Sequence, residues 1–461
     1  MPTSSTISNI KEKQNNFFAI GKTKEITFRK EALKKLLAVI QKNEEAICNA
    51  LYSDFKKSKF ESLVTEVVLV VKELQLSIKN IDKWTKPKTV KASFLNFPSK
   101  DLLYTEPYGT VLIIAPWNYP YQLVIAPLIG AIAAGNTVVI KPSELTPATS
   151  ALLENIISET FSAEYILVIQ GNKDTAQELL QQKWDYIFFT GSVKVGKIIA
   201  KAAAKHLTPM TLELGGKNPC IIDETAKLKL SARRIVWGKF VNAGQTCIAP
   251  DYLLVHKSIE TDFIKELQKE IVKAYGENPK TSKDYPRIIN TSNFERLSAF
   301  LKDGKVLAGG ECDNTDLYIS PTLLQNPSLE SEVMQEEIFG PILPILTYLT
   351  AADLEKIILR YEKSLALYVF SENKVFAEKV LKDFSFGGGA TNDVMIQFVN
   401  HRLPFGGVGS SGMGAYHGKH SFETFSHKKS ITKKGTWLDI PFRYAPYGGK
   451  TNLIKKISKW I

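Results

Sequence analysis

The sequence predicts an α/β protein built on parallel sheets with helices packed on both faces. Short apolar runs at Val111 to Ala115, Thr137 to Ile140, Tyr165 to Ile169 and Tyr186 to Phe189 alternate with helical stretches at Tyr121 to Ala134, Pro147 to Phe161 and Asp174 to Gln182. That order is the signature of strand–crossover–strand units. The runs are almost continuously apolar rather than alternating, which requires both sheet faces to be covered. Polar motifs come directly after the strands, where open parallel sheets bind their ligands.

Composition narrows the class. The 461 residues are 44% hydrophobic and 23% charged, ordinary for a globular chain long enough for two or three domains. Cys48, Cys220, Cys247 and Cys312 are far apart, without CxxC or Cys/His ligand spacing. This argues against a disulfide framework or a zinc site and fits a reducing, cytoplasmic setting. Met1 to Ile10 is polar and lacks the apolar core of a secretory signal. The longest apolar stretch, Val111 to Ile140, is interrupted by Pro116, Asn118, Pro120, Pro127 and Asn136. It reads as strand, loop, helix and strand rather than a membrane span. The net charge of +12 is spread along the chain with no aromatic–basic motif, so it suits an anionic cofactor better than a nucleic acid.

In chain order, Ser5 to Trp84 reads as helices, with Leu63, Val67, Val70, Val71, Leu74, Ile78 and Ile81 on one face. Lys86-Pro87-Lys88 breaks them, and an irregular segment follows to Pro107, with Lys100 to Glu106 a candidate exposed strand. The parallel α/β region then begins at Tyr108. A second α/β region is expected to start near Thr211. It takes in a helical pattern through Leu230, Ile235, Val236 and Phe240, the loop from Val241 to Pro250, an apolar strand from Tyr252 to His256, a helix from Ile259 to Tyr275, and strands around Ile345 and Leu367. Gly387-Gly388-Gly389 and the run Gly406 to Gly414 close that region. Ser421 to Lys434 alternates enough to be a strand.

Several of these loops carry chemistry. Cys247 lies in a Gly-broken polar loop between a helix and a strand; it is a candidate nucleophile, or a small residue filling a core gap. Asn118 is bracketed by Pro116 and Pro120, which restrict its backbone, so its amide is a donor for a developing oxyanion or the anchor of a turn. Lys141-Pro142-Ser143-Glu144 sets a cation and a carboxylate at a strand end, suited to phosphate and ribose hydroxyls. Thr190-Gly191-Ser192-Val193-Lys194-Val195-Gly196 follows a strand and opens a helix, whose N-terminal amides suit a pyrophosphate. Glu213 sits in an otherwise apolar run before two glycines; desolvation would make it a usable base, unless it is a paired structural carboxylate. Glu337, with Phe339 two residues on, offers a ribose acceptor beside a ring for a flat cofactor. Gly407-Val408-Gly409-Ser410-Ser411-Gly412 matches GxGxxG literally, but no strand precedes it and no helix directly follows, so it reads as a compact loop. His417 and His420 lack the companions of a metal site, and none is expected.

Together, PWNYP, KPSE, FTGSVKVG, LELGGKNP, NAGQTCIAPDY, EEIFGP and LPFGGVGSSGMG resemble the aldehyde dehydrogenase superfamily, in that family's order and over about residues 105 to 430. GQTCIAPDY and GMGAYHGKHSFETFSH are similar to its class 3 branch, which acts largely on medium- and long-chain or aromatic aldehydes. The resemblance implies that Cys247 attacks the aldehyde to give a thiohemiacetal, with Asn118 and the Cys247 amide holding the oxyanion. It implies that the thiohemiacetal is oxidised to a thioester, and that Glu213 activates the water that releases the acid. Lys141 and Glu144 would bind the adenosine ribose, residues 191–196 the pyrophosphate, Glu337 the nicotinamide ribose, and Phe339 would pack near the ring. It also implies a cofactor domain (1–84 and 107–211), a catalytic domain (212–420), and a bridging β arm with a C-terminal tail (85–106 and 421–461), assembled as a homodimer. Trp117 stands where many members have Phe. No Lys or His neighbours Cys247 in sequence, so nothing in the motif explains a thiolate there.

Two other activities fit parts of this pattern. One is a coenzyme A-acylating relative, in which a water-activating glutamate is usually dispensable; the other is a nucleotide-binding protein without turnover. Glu213 disfavours the first, and the presence of Cys247, Glu213 and Asn118 disfavours the second. Glu144 suits a free 2′-hydroxyl, so NAD is expected ahead of NADP, with Lys141 able to tolerate a 2′-phosphate. In the tail, Leu453, Ile454, Ile457 and Ile461 share a helical face with Lys455, Lys456 and Lys459 elsewhere. That pattern fits packing on a partner subunit or a weak membrane-surface contact.

Overall fold

The runs at Val111, Thr137, Ile166 and Tyr186 become adjacent strands because each is short, apolar on both faces and rich in β-branched or aromatic residues. The computed structural model describes residues 4–93 and 96–458. Among them the strands are β1 (Lys88–Val90), β2 (Ser99–Pro107), β3 (Thr110–Ile114), β4 (Thr137–Lys141), β5 (Ile166–Val168), β6 (Tyr186–Thr190), β7 (Met210–Glu213), β8 (Pro219–Ile222), β9 (Tyr252–His256), β10 (Lys305–Ala308), β11 (Cys312–Asp313), β12 (Tyr318–Ile319), β13 (Thr322–Gln325), β14 (Ile342–Tyr348), β15 (Ala366–Phe370), β16 (Gly388–Thr391), β17 (Gly412–Met413) and β18 (Ser426–Lys434).

The first large sheet has the order β17-β7-β6-β3-β4-β5. All its pairings are parallel except β17 on β7. Ile113 stands between Ile140 and Phe188, so three fully buried residues form a row across the sheet centre. The second large sheet has the order β10-β13-β14-β9-β8-β15-β16, parallel except at its β10 edge. A third sheet, β1-β2-β18, is antiparallel and mostly exposed. β18 pairs with the whole of β2, from Ser426 opposite Pro107 to Lys434 opposite Ser99. β11 and β12 form a small antiparallel pair.

Two expectations need correcting. The boundary near Thr211 falls inside β7, which pairs with β6 and belongs to the first sheet. The apolar pattern of Thr211 and Leu212 continues that sheet, and the chain leaves it only at Leu214-Gly215-Gly216. The run Gly406 to Gly414 also supplies an edge of the first sheet, through Gly412 opposite Glu213. Second, Ser421 to Lys434 is not one strand. Lys419–Thr424 is helical and β18 starts at Ser426. Ser421 and Phe422 are buried where this helix packs on the helix Gln122–Ala134, and the following Phe425 carbonyl accepts from Asn136 Nδ2 at 2.9 Å. Alternation in the sequence there reports the strand's half only.

At the N-terminal end, one helical rod runs from Lys59 to Trp84 and widens to π geometry over Leu63–Val67. Val67, Val70, Leu74 and Ile81 are buried on its inner face, with Leu63, Val71 and Ile78 packed beside them. The Val111 to Ile140 stretch is β3, the helix Gln122–Ala134 and β4; among the described residues no helix is long and apolar enough to cross a membrane. The tail ends in the helix Thr451–Ile457 with Ile454 exposed. The side chains of Leu453 and Ile457, and the whole of Lys459 and Ile461, lie outside the described residues.

Candidate active site

The helix Leu228–Phe240 ends against a chain reversal that carries Cys247. Asn242 (φ 55°), Ala243 (φ 51°) and Gly244 (φ 73°) are left-handed in succession, an arrangement that Asn tolerates and Gly accommodates freely. Gly244 has no alternative, since a Cβ there would stand 2.3 Å from the Gly340 carbonyl oxygen. Ala243 is strained and needs the surroundings to hold it. They do so through buried hydrogen bonds. Asn242 N donates to Glu61 Oε1 at 2.8 Å, and Gln245 Nε2 donates to the Asn242 and Arg287 carbonyls at 3.1 and 3.0 Å. Ile289 N donates to Gln245 Oε1 at 3.0 Å. Thr246 Oγ1 and Tyr119 OH share a hydrogen bond of 2.6 Å, and Asn218 Nδ2 donates to the Cys247 carbonyl at 2.7 Å. The thiol therefore sits on a loop with no slack on either side.

Asn118 follows β3 and is 2% exposed. Its Nδ2 donates to the Gln245 carbonyl at 3.1 Å, and its own carbonyl accepts from Asn242 Nδ2 at 2.8 Å. One amide N–H of Asn118 is thus spent on orientation and the other remains for the cleft. Glu213, at the end of β7, is 2% exposed, and neither carboxylate oxygen has a hydrogen-bond partner. Burial drives its pKa well above the usual carboxylate range, so the reading as a paired structural carboxylate does not hold. Burial, followed by the charges of Glu337 and Glu213, raises the Cys247 thiol, and the amides of Cys247 and Ile248 pull it the other way. Those two backbone donors favour the thiolate but are outweighed by burial and the two carboxylates, so the thiol stays raised.

Glu337 is placed by a buried ion pair. Lys217 Nζ meets Asp251 Oδ2 at 2.5 Å and donates to the Val333 and Glu336 carbonyls at 2.9 and 2.8 Å, while Asp251 Oδ1 accepts from Ile338 N at 2.9 Å. Glu337 crosses so close to Gly215 that a Cβ there would lie 2.1 Å from its Oε2. Burial, and then Asp251, push its pKa up to about 8, opposed by the Gly216 amide. Its Oε1 is buried and unpartnered. Phe339 packs edge-on against Trp117 at 5.3 Å.

Two clefts meet at Cys247 and Glu213. The polar one, about 1660 Å³ counting its solvent-open mouth, is lined by Trp117, Asn118, Gly191, Ser192, Val193, Lys194, Leu214 to Lys217, Glu337 and Phe339. The other, about 790 Å³, is lined by Val64, Leu69, Tyr119, Trp237, Met395, Phe398, Phe405 and Tyr416 among others. Of the expected cofactor residues, Val195, Gly196, Lys141 and Glu144 do not line the polar cleft. Val195 is exposed on its helix. Gly196 serves packing, since a Cβ would stand 2.7 Å from Leu214 Cδ2. Ser192 caps the helix Val193–Ala204 by accepting from Val195 N, which leaves its hydroxyl proton for another acceptor. Lys141 ends β4 and is ion-paired with Glu144. The polar cleft fits a dinucleotide by two observations of its own: the unpartnered Glu337 oxygen, and the N-terminus of the twelve-residue helix Val193–Ala204 opening into it.

The GxGxxG-like run forms a short 3₁₀ turn, Gly409–Ser411, leading into β17, and Ser410 touches the polar cleft. His417 is buried between the rings of Phe398, Phe405 and Tyr416, and burial brings its pKa down to about 3. Among the described residues, no group of three or more His, Cys, Asp or Glu side chains is placed to hold a metal ion. Sequence reasoning missed Tyr119, Gln245, Thr246 and Asn218, although Tyr119 adjoins Asn118 and Thr246 adjoins Cys247. It also missed Glu61 and most of the apolar lining, which comes from several separated segments.

Fold and site define a nucleotide-dependent oxidoreductase with a cysteine at the junction of its clefts. The chain belongs to the aldehyde dehydrogenase family, which it matches over residues 5–431. It is 50% identical to 4,4'-diaponeurosporen-aldehyde dehydrogenase of Staphylococcus aureus (strain NCTC 8325 / PS 47) over 96% of this chain and 97% of that one. It is 44% identical to the dimeric NADP-preferring aldehyde dehydrogenase of Canis lupus familiaris over 96% and 98%. A solved structure of Staphylococcus aureus AldH in a substrate-bound state superposes with a TM-score of 0.96 at 48% identity, covering 98% of this chain and 99% of that one. The protein is an aldehyde dehydrogenase of the class 3 type, oxidising an aldehyde with NAD or NADP.

Proposed function

We propose that the substrate is a medium- or long-chain aliphatic or an aromatic aldehyde, and that Cys247, Asn118 and Glu213 carry the reaction. The observation that supports this most is the apolar cleft ending on the Cys247 thiol: it excludes water along an aldehyde's hydrocarbon part and leaves the carbonyl at the polar junction. Cys247 attacks as the thiolate, its proton having passed to solvent, so that Glu213 is left as the carboxylate for the later step. The new C–S bond leaves an oxyanion, which the free N–H of Asn118 and the Cys247 amide hold. Residues 191–194 and Glu337 would hold NAD or NADP in the polar cleft, with Lys141 and Glu144 at the neighbouring strand end, and the cofactor would supply the hydride acceptor needed to oxidise the thiohemiacetal to a thioester. Glu213 then takes a proton from water, the resulting hydroxide adds to the thioester carbonyl, and the Cys247 sulfur leaves as the acid is released.

The unpartnered Glu213 favours hydrolysis over transfer to coenzyme A. We further infer that the first sheet binds the cofactor and the second carries the nucleophile. The β1-β2-β18 arm and the tail would meet a second copy, a reading supported by the dimeric relative. NAD is preferred, because Glu144 would repel a 2′-phosphate; a lower KM for NADP would reverse that. A reducing, cytoplasmic setting is the reading supported by the four widely spaced cysteines. If deleting residues 452–461 broke a dimer while leaving vesicle flotation unchanged, the tail would belong to the subunit contact; loss of flotation alone would give it to a membrane. The deciding experiment on the chemistry is mass spectrometry of enzyme trapped with aldehyde: an adduct on Cys247 is expected, and an adduct elsewhere, or none, overturns the mechanism.

A further inference from the structure

We infer that Glu61 is a positioning residue for the oxidation step, holding the Asn118 amide in register with Cys247 through the left-handed Asn242. This rests on the proposed role of Asn118. Glu61 stands 181 residues from Asn242 in sequence and accepts its main-chain N–H at 2.8 Å, both groups being buried. With its backbone fixed, Asn242 uses its side-chain amide twice, donating to the Asn118 carbonyl at 2.8 Å and the Gln245 carbonyl at 3.1 Å. The same Gln245 carbonyl accepts from Asn118 Nδ2 at 3.1 Å. One residue therefore fixes both the backbone and, through a shared acceptor, the side chain of the oxyanion donor.

The helical rod that carries Glu61 also carries a second brace. Glu66 is fully buried; its Oε1 accepts from Lys57 Nζ at 2.8 Å, and its Oε2 accepts from the main-chain N–H groups of Tyr121 and Gln122, both at 3.0 Å. Lys57 Nζ lies 4.1 Å from the Tyr119 ring centroid, and Tyr119 reaches Thr246 beside the nucleophile. Glu66 thus fixes the loop after Asn118 and Glu61 fixes the loop before Cys247. Glu66 lies within the π turn Leu63–Val67, and Glu61 lies in the α-helical turn just before it. Glu66 is fully satisfied and its removal would strand Lys57 in the interior, so it is a poor probe. Glu61 makes one long-range bond to one loop and is the better one.

The test is the pre-steady-state burst of NADH in the full-length enzyme at saturating aldehyde and NAD. Glu61→Asp withdraws the acceptor by one methylene while keeping the charge. It should slow the burst by about tenfold, the scale of a small misalignment of a catalytic group, with NAD affinity and thermal midpoint essentially unchanged. Glu61→Gln keeps an oxygen acceptor at full length and should restore most of the rate. In an Asn118→Ala background, Glu61→Asp should cost nothing further, because its effect runs through the amide already removed. An unchanged burst in Glu61→Asp overturns the inference, as does an equal loss in both backgrounds. If Asn118→Ala leaves the burst intact, the oxyanion assignment falls and this inference with it; if Asn118→Ala slows the burst and Glu61→Asp does not, this inference alone falls.

Discussion

The polar and apolar clefts share Cys247 and Glu213 but are built by opposite means. The polar cleft is framed by main chain, at strand ends, a helix N-terminus and Gly215 under Glu337, with polar side chains such as Asn118, Lys217 and Glu337 set into that frame. The apolar cleft is made of side chains from several separated segments, chiefly 64–69, 119–123, 237–248 and 395–416, with Leu214 and Leu365 from others, on elements of both large sheets and the N-terminal rod. Main-chain recognition leaves little freedom in sequence, because an amide can be presented to a phosphate in only a few ways. A side-chain wall can be rebuilt by any set of residues of suitable bulk. The cofactor half of the site is thus constrained and the substrate half adjustable, with the thiol held rigid between them.

That contrast can be broken at several points. Cys247→Ala, at the shared junction, should abolish aldehyde oxidation while leaving NAD affinity unchanged by fluorescence titration. A residual turnover would mean that the junction is elsewhere. Asn118→Ala should slow the NADH burst by roughly 10² to 10³, the usual cost of one oxyanion donor. Glu213→Gln should keep a burst of about one equivalent but stall afterwards, because only deacylation needs the base; an unchanged steady-state rate would remove Glu213 from that role.

The carboxylates also set the pH behaviour of the thiol. Because burial, Glu337 and Glu213 raise its pKa, alkylation of the free enzyme by iodoacetamide should climb about tenfold per pH unit through neutrality, without a plateau below the ordinary thiol pKa of about 8.5. Above the Glu337 pKa of about 8, Glu337→Gln removes a nearby charge that opposes the thiolate and should speed alkylation at pH 9. A plateau near pH 7 would show that other groups dominate. The smallest effect belongs to the side-chain wall. Trp237→Ala should raise KM for a long-chain aldehyde by about tenfold, in line with loss of about 1.5 kcal/mol of apolar contact, and change neither NAD affinity nor the KM for acetaldehyde.

The same division explains what the sequence made legible. Gly191 to Lys194, Glu337 and Phe339 line the cleft because each belongs to a local motif whose geometry is set within a few residues. Cys247, Asn118 and Glu213 were readable for the same reason, each lying where a strand or helix gives way to a loop. Gly196 shared the motif but not the cleft, since pattern alone does not separate a glycine that admits a phosphate from one that admits Leu214. Glu61 was hidden because its partner is 181 residues away and its own segment reads as an amphipathic helix. The domain boundary slipped at β7 because a strand's apolar pattern does not say which sheet it joins, and the start of β18 slipped because Ser421 and Phe422 are buried by a helix rather than by strand pairing.

The short pairing of Gly412 and Met413 with Glu213 and Leu212 has a consequence for how the chain is made. The sheet that opens early in the polypeptide cannot receive its last edge until some two hundred further residues have emerged from the ribosome, and β2 waits longer still for β18. Pairings of such sequence separation form slowly. A nascent chain arrested anywhere before residue 412 would therefore display a raw margin beside Glu213, and only emergence of Gly412 and Met413 closes that seam.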